Sequence, residues 1–101
     1  MIGNTINEFI SDLYINGGPE KEFIYNDKYY IIQADKHNNE DITSLRLDVY
    51  KLMDKEADDF IDTIWFDGND LKECVEKFEI APIFDGQTIY EIESQVEVLF
   101  G

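Results

Sequence analysis

Cys74 and His37 are the chain's only thiol and its only imidazole, so they bound its nucleophilic chemistry. A Cys–His couple needs both groups within hydrogen-bond reach. Cys74 falls between Leu71 and Phe78 on an apolar helical stripe, where burial raises a thiol's pKa and leaves it inert. His37 sits on a polar stretch with Asp35, Glu40 and Asp41. That setting is loosely suited to a divalent cation, but one imidazole without a second His or a Cys gives no transition-metal spacing. A solvated loop accounts for it better. Phe-Asp-Gly occurs twice, at 66–68 and 84–86. "FDGND" lacks the alternating oxygen ligands and closing glutamate of a roughly twelve-residue calcium loop. In both copies, Phe as anchor, Asp-Gly as reversal and a cap residue two positions on suit a turn that opens a helix.

Other chemistries fare no better. Among 23 Asp and Glu any carboxylate spacing can be found, so no glycosidase-like pair stands out. Gly17-Gly18 leads into a proline and a strand, the reverse of a phosphate loop. "FIYNDKYY" would stack bases only in a positive groove, whereas the chain carries a net charge of −15. Its aromatics read instead as core and cross-strand pairs. No catalytic residue, metal or cofactor is expected, and the chain reads as a non-enzyme.

The carboxylates themselves remain. Against 8 Lys and Arg they set a pI near 4.1. Residues 1–53 hold 9 acids and 5 bases (−4), residues 54–101 hold 14 and 3 (−11), and no cation follows Lys77. Such a surface repels nucleic acid and anionic membranes and draws basic proteins. Asp54, Glu56, Asp58, Asp59 and Asp62 cluster at one hairpin. Asp70, Glu73 and Glu76 recur every three residues along the polar side of a second helix, and Glu93 and Glu97 lie on a third. Helical carboxylates at this spacing sit ~5–6 Å apart and repel by a few tenths of a kcal/mol. A basic partner that neutralises them is one reason to keep them; solubility is the other.

The elements that must position these residues follow from periodicity. Thr5 with Glu8 caps a helix whose Ile6, Phe9, Ile10, Leu13 and Tyr14 form one stripe, ended by Gly17-Gly18-Pro19. Two aromatic runs flank Asn26-Asp27, a hairpin turn. Residues 44–53 alternate as a half-buried strand, with Leu45, Leu47 and Val49 on one face. Residues 54–59 read as a turn. A fourth strand over 60–67 puts Phe60, Ile64 and Phe66 on one side, with Asp62 the odd polar member. Asp70 with Glu73 starts a helix on Leu71, Cys74, Val75 and Phe78. Thr88 with Glu91 starts another on Ile89, Ile92, Val96, Leu99 and Phe100.

The expected fold is therefore α+β: an N-terminal helix, an antiparallel three- to four-stranded sheet and two C-terminal helices on one face, as one acidic domain over 1–101. "MIGNTINEF" lacks a signal peptide's basic and apolar regions. No stretch approaches the ~18 apolar residues of a membrane span, and Cys74 has no disulfide partner. A cytoplasmic protein is expected. This order of elements, in about a hundred strongly acidic residues, resembles small phage-encoded inhibitors of the anti-CRISPR type. Those proteins present carboxylates where a nuclease expects DNA phosphate. The resemblance rests on element order and acidity and assigns no residue a role. It implies an acidic binding or inhibitor protein from a phage or mobile element, a nucleic-acid mimic that blocks a basic partner such as a CRISPR or restriction nuclease. The acidity itself leads to the expectation of no direct nucleic-acid binding and no membrane. Two alternatives stand beside the inhibitor reading: an immunity-type protein neutralising a basic toxin, and a small self-associating interaction module.

Overall fold

Thr5 opens the first helix as expected. Its hydroxyl accepts from the Glu8 amide at 3.2 Å, and α1 runs Ile6–Tyr14 with Phe9, Ile10 and Leu13 buried. The computed structural model describes residues 1–15, 17–37 and 43–101; Glu40 and Asp41, named above beside His37, lie outside them. After α1 come β1 (Lys21–Tyr25), β2 (Lys28–Lys36), β3 (Thr43–Met53), β4 (Glu56–Phe66), α2 (Leu71–Ile80), a single 3-10 turn (Glu93–Gln95) and β5 (Glu97–Phe100). The fold is α+β, with one antiparallel sheet in the order β4-β3-β2-β1-β5. Among the described residues no helix is long and apolar enough to cross a membrane.

The core lies between the helices and one sheet face. Phe23, Tyr30, Ile32, Leu45, Leu47 and Phe66 meet Phe9 and Leu13 of α1 and Cys74, Val75 and Phe78 of α2 there. Its centre is aromatic. Phe23 stacks on Tyr30 with centroids 5.0 Å apart, Phe9 and Phe84 close on them edge-on or tilted, and Phe78 meets Phe84 edge-on, a preferred geometry for ring quadrupoles. Lys21 is fully buried in the same layer. Its ammonium meets Asp12 at 2.8 Å, a backbone carbonyl of Gly101 at 2.9 Å and the Phe9 ring at 5.3 Å.

Four expectations need correction. No third helix forms over 88–100. The capping box closes, Thr88 and Glu91 each taking the other's backbone N–H at 3.3 and 2.9 Å. The chain then makes the 3-10 turn and becomes β5, so the sheet has five strands where three or four were expected. Val96 and Val98 are buried two residues apart, the strand period, and β1 supplies an open edge that a helix would have left unpaired. Leu99, expected in the core, stays half-buried outside it.

The fourth strand starts at Glu56, so most of 54–59 is ladder and not turn. Only Asp54 and Lys55 reverse the chain, both at positive φ (51° and 62°). Phe60 does not share a face with Ile64 and Phe66. The register passes from Val49–Asp62 to Tyr50–Phe60, leaving Ile61 as a bulge. One inserted residue flips everything beyond it to the other face. Finally, the two Phe-Asp-Gly turns differ. Asp85 and Gly86 both have positive φ (54° and 81°), whereas Gly68 is absent from the positive-φ residues and instead packs tightly against Glu73.

Candidate functional site

The β3–β4 hairpin carries the densest acid cluster beyond the helix-covered core. Every residue from Asp54 to Asp62 is exposed, and β4 is one of the two outer strands of the sheet. Two register shifts along β4 bend it, because each bulge breaks the ladder and increases local twist. The side chains of Asp54, Glu56, Asp58 and Asp59 make no hydrogen bond or ion pair with any described residue, and that of Asp62 accepts only from the neighbouring Thr63 amide at 2.8 Å. Asp62 sits opposite Val49. A charge on an outer strand hinders edge-to-edge pairing with another sheet.

The structure separates Asp70, Glu73 and Glu76 from this arm. Asp70 and Glu73 close the start of α2: Asp70 accepts from the Glu73 amide at 2.9 Å, and Glu73 accepts from the Asn69 amide at 2.9 Å. Those carboxylates satisfy orphan helix donors. Glu76 is exposed on the same helix. Ten residue steps of β4 lie between hairpin tip and α2, about 33 Å of strand, so the acids form two patches. Glu93 and Glu97, no longer on one helix, have their own cations: the N-terminal ammonium at 3.5 Å and Lys55 at 3.2 Å.

Three polar clusters escaped the sequence reading. On the sheet face turned away from the helices, the Tyr29 hydroxyl donates to Glu22 at 2.5 Å, and burial with this bond pushes its pKa up to about 12. Glu20 lies beside Glu22; its carboxyl is held above the ordinary range by burial first, then by hydrogen bonding to Glu22 and that group's charge. Further along, His37 stacks on Trp65 with centroids 4.0 Å apart and planes 6° off parallel, and its Nδ1 lies 3.0 Å from Asp67. Asp67 also accepts from Ser44 at 2.6 Å, the main reason its carboxyl is lowered, and His37 adds to it. His37 is thus packed on a ring and beside a carboxylate, not merely solvated. Arg46 donates to Asp35, lies 3.2 Å from Asp48 without a hydrogen bond in line, and covers Trp65 at 5.8 Å. On the helical side, Glu79 accepts from both Tyr14 and Tyr90 hydroxyls.

The structure does not bring the thiol and the imidazole together. Cys74 is fully buried, its thiol pushed up by desolvation, and its sulfur lies 3.2 Å from the Asp70 carbonyl. His37 faces Asp67 instead. Among the described residues no group of three or more His, Cys, Asp or Glu is arranged to hold a metal ion. The architecture is that of a five-stranded antiparallel sheet with two helices on one face, an acidic outer hairpin, and aromatics and carboxylates on the other face. Comparison with protein-family models, with curated proteins and with solved structures finds no match to this chain.

Proposed function

We propose that this is a non-enzymatic, cytoplasmic acidic binding protein that occupies the nucleic-acid site of a basic partner, such as a nuclease. The acidic arm carries the reading. Glu56, Asp58, Asp59 and Asp62 lie along about 20 Å of strand, roughly one charge per 5–6 Å, against one per ~3.4 Å on a single strand of duplex. Asp54 adds a fifth charge at the tip, and among the described residues the arm's own cation, Lys55, is turned to Glu97. Holding so many unneutralised carboxylates together costs stability in a small domain, a cost that a cationic partner removes.

The test uses purified basic nucleic-acid-binding proteins, with binding followed at low and physiological salt and in the presence of duplex DNA. The expected outcome is association that DNA displaces and whose on-rate falls steeply with salt, since the Debye length is only ~8 Å at physiological strength. Asp58→Lys with Asp59→Lys should weaken it several-fold. Absence of binding to every basic protein, or indifference to the reversal, would leave the acids as a solubility device.

A further inference from the structure

Glu79 ties the ends of both helices to the segment that follows them. It is half-buried in the last turn of α2. Its carboxylate accepts from the Tyr14 hydroxyl at the end of α1 and from the Tyr90 hydroxyl between α2 and β5. Both rings stay exposed. Ile15, next to Tyr14, is 67% exposed, and Ile80, next to Glu79, is 75% exposed. None of the four joins the core, because Phe9, Ile10 and Leu13 of α1 and Cys74, Val75 and Phe78 of α2 fill it. A single exposed isoleucine needs no account. Two of them beside two rings that one carboxylate holds form an apolar patch of the kind that marks an interaction site. The hydroxyl bonds also fix the rings in advance, so less side-chain freedom is lost on docking.

The rim of the patch is negative. Glu76, one turn before Ile80 on α2, is exposed. The Tyr14 hydroxyl is raised by burial first, then by its bond to Glu79 and by the charges of Glu79 and Glu76, which places both carboxylates at this ring. Neither carboxylate has a cation among the described residues. Lys77 is turned to the Asp67 carbonyl, and Lys72 makes no ion pair with a described residue. Both helices end here with the negative pole of their dipoles, and α1 has no basic residue in its last turn. A second copy of this chain does not suit that rim. It would bring its own Glu76 and Glu79, and a net charge of −15, against the same charges. An apolar segment flanked by cations is complementary on both counts.

We propose that the patch formed by Tyr14, Ile15, Ile80 and Tyr90 docks a basic amphipathic segment of a partner protein, its cations paired with Glu76 and Glu79. The proposal rests on the basic-partner reading above and adds an apolar contact made by residues other than those of the acidic arm.

Three peptides of equal length serve as probes: a leucine–lysine amphipathic helix, its leucine–glutamate counterpart and oligo-lysine. Each is titrated into isotope-labelled protein at physiological salt and followed by nuclear magnetic resonance. The leucine–lysine peptide is expected to shift the Tyr14, Ile15, Ile80 and Tyr90 signals. It should bind several-fold tighter than oligo-lysine, and leucine–glutamate should not bind. Ile15→Ser with Ile80→Ser should weaken the leucine–lysine peptide about tenfold, less than full burial of one isoleucine is worth, and leave oligo-lysine unchanged. Glu79→Gln keeps an acceptor for the tyrosines and should weaken the same peptide several-fold. Amide spectra confirm that each variant is folded, and Ile80→Ser alone serves should the double variant unfold. Leucine–lysine binding that shifts residues 54–62 instead, and is lost with Asp58→Lys and Asp59→Lys, would overturn the patch and leave the acidic arm standing. Equal binding of leucine–glutamate, or dimerisation of the protein abolished by Ile80→Ser, would overturn the basic occupant. If neither lysine peptide binds, the patch and the arm both fall.

Discussion

Lys55, at the tip of the β3–β4 hairpin, pairs with Glu97 of β5 at 3.2 Å, although β2 and β1 lie between their strands. Three strand spacings amount to ~14 Å, so the arm must lean across the sheet to make the contact. The Leu52 amide, donating to the Asp27 carbonyl at 3.1 Å, shows β3 continuing past β2 and over the β1–β2 turn. The bulges in β4 supply the coil.

This contact is an exposed staple. Lys55→Glu should cost less than about 1 kcal/mol, as expected for a pair open to solvent. Amide exchange should quicken over 56–62 and stay slow in β2. Adding Glu97→Lys should restore protection; a swap that leaves the arm as labile as the single variant would show that the ion pair does not hold it.

Lys21 makes the opposite kind of pair, with its ammonium fully buried against an Asp12 that reaches solvent. Asp12→Asn strands the buried charge and should cost about 2–3 kcal/mol, less than a fully buried pair would. Lys21→Met should fall within about 1 kcal/mol of the parent or above it, since the stem already packs in the core. Urea melts decide, and a methionine variant weaker than the asparagine one would contradict this account. Asp12 is therefore no neutral surface position, despite its place in the less charged half.

The twin turns should respond to alanine for different reasons. At Gly86 a Cβ meets nothing within 4 Å, and the penalty, about 1–2 kcal/mol, comes from φ +81° alone. At Gly68 a Cβ would sit 2.7 Å from that of Glu73. In double-mutant cycles Gly68→Ala should couple to Glu73→Gly, and Gly86→Ala should not. Additivity in both cycles would mean that the Gly68 contact is not the cause.

Tyrosine ionisation should unfold the protein in alkali. Tyr29, Tyr30 and Tyr90 are pushed up to about 12 and Tyr14 is raised as well, burial leading in each case. Because folded values exceed the ordinary ~10, their contribution is complete below about pH 10 and drains away as pH climbs through 12. Tyrosinate absorbance and stability should change together over that window. Glu79→Gln should bring Tyr14 and Tyr90 part of the way back, since burial remains. Normal titration at pH 10 with no loss of fold would refute the assignment.

Helical periodicity and a cap made both helices readable, with boundaries close to those observed. β1 to β3 were readable from their aromatic and alternating runs. The outer half of β4 was not, because 56–62 is exposed on both sides and has no alternation to detect, and its bulge reversed Phe60. β5 was misread because Ile89, Ile92 and Val96 also fit a helix. Only the free edge of β1, far away in sequence, decides for a strand. The acidic arm could be seen from charge alone. The polar and aromatic contacts of the sheet could not: Glu22 meets Tyr29, and Tyr50 meets Phe60, only through strand register.

The N- and C-terminal segments are clasped together. The Ile2 amide donates to the Val96 carbonyl at 2.9 Å and the Val98 amide to the Ile2 carbonyl at 2.8 Å, while Val98 pairs with Phe23 of β1. Hairpins β1–β2 and β3–β4 are local and should form fast, but this clasp closes a loop nearly as long as the chain described. Loop closure on that scale comes late and slows folding. A nascent chain therefore carries an unpaired β1 edge until residues 96–98 have left the ribosome, and in that interval it is most open to capture by other strands.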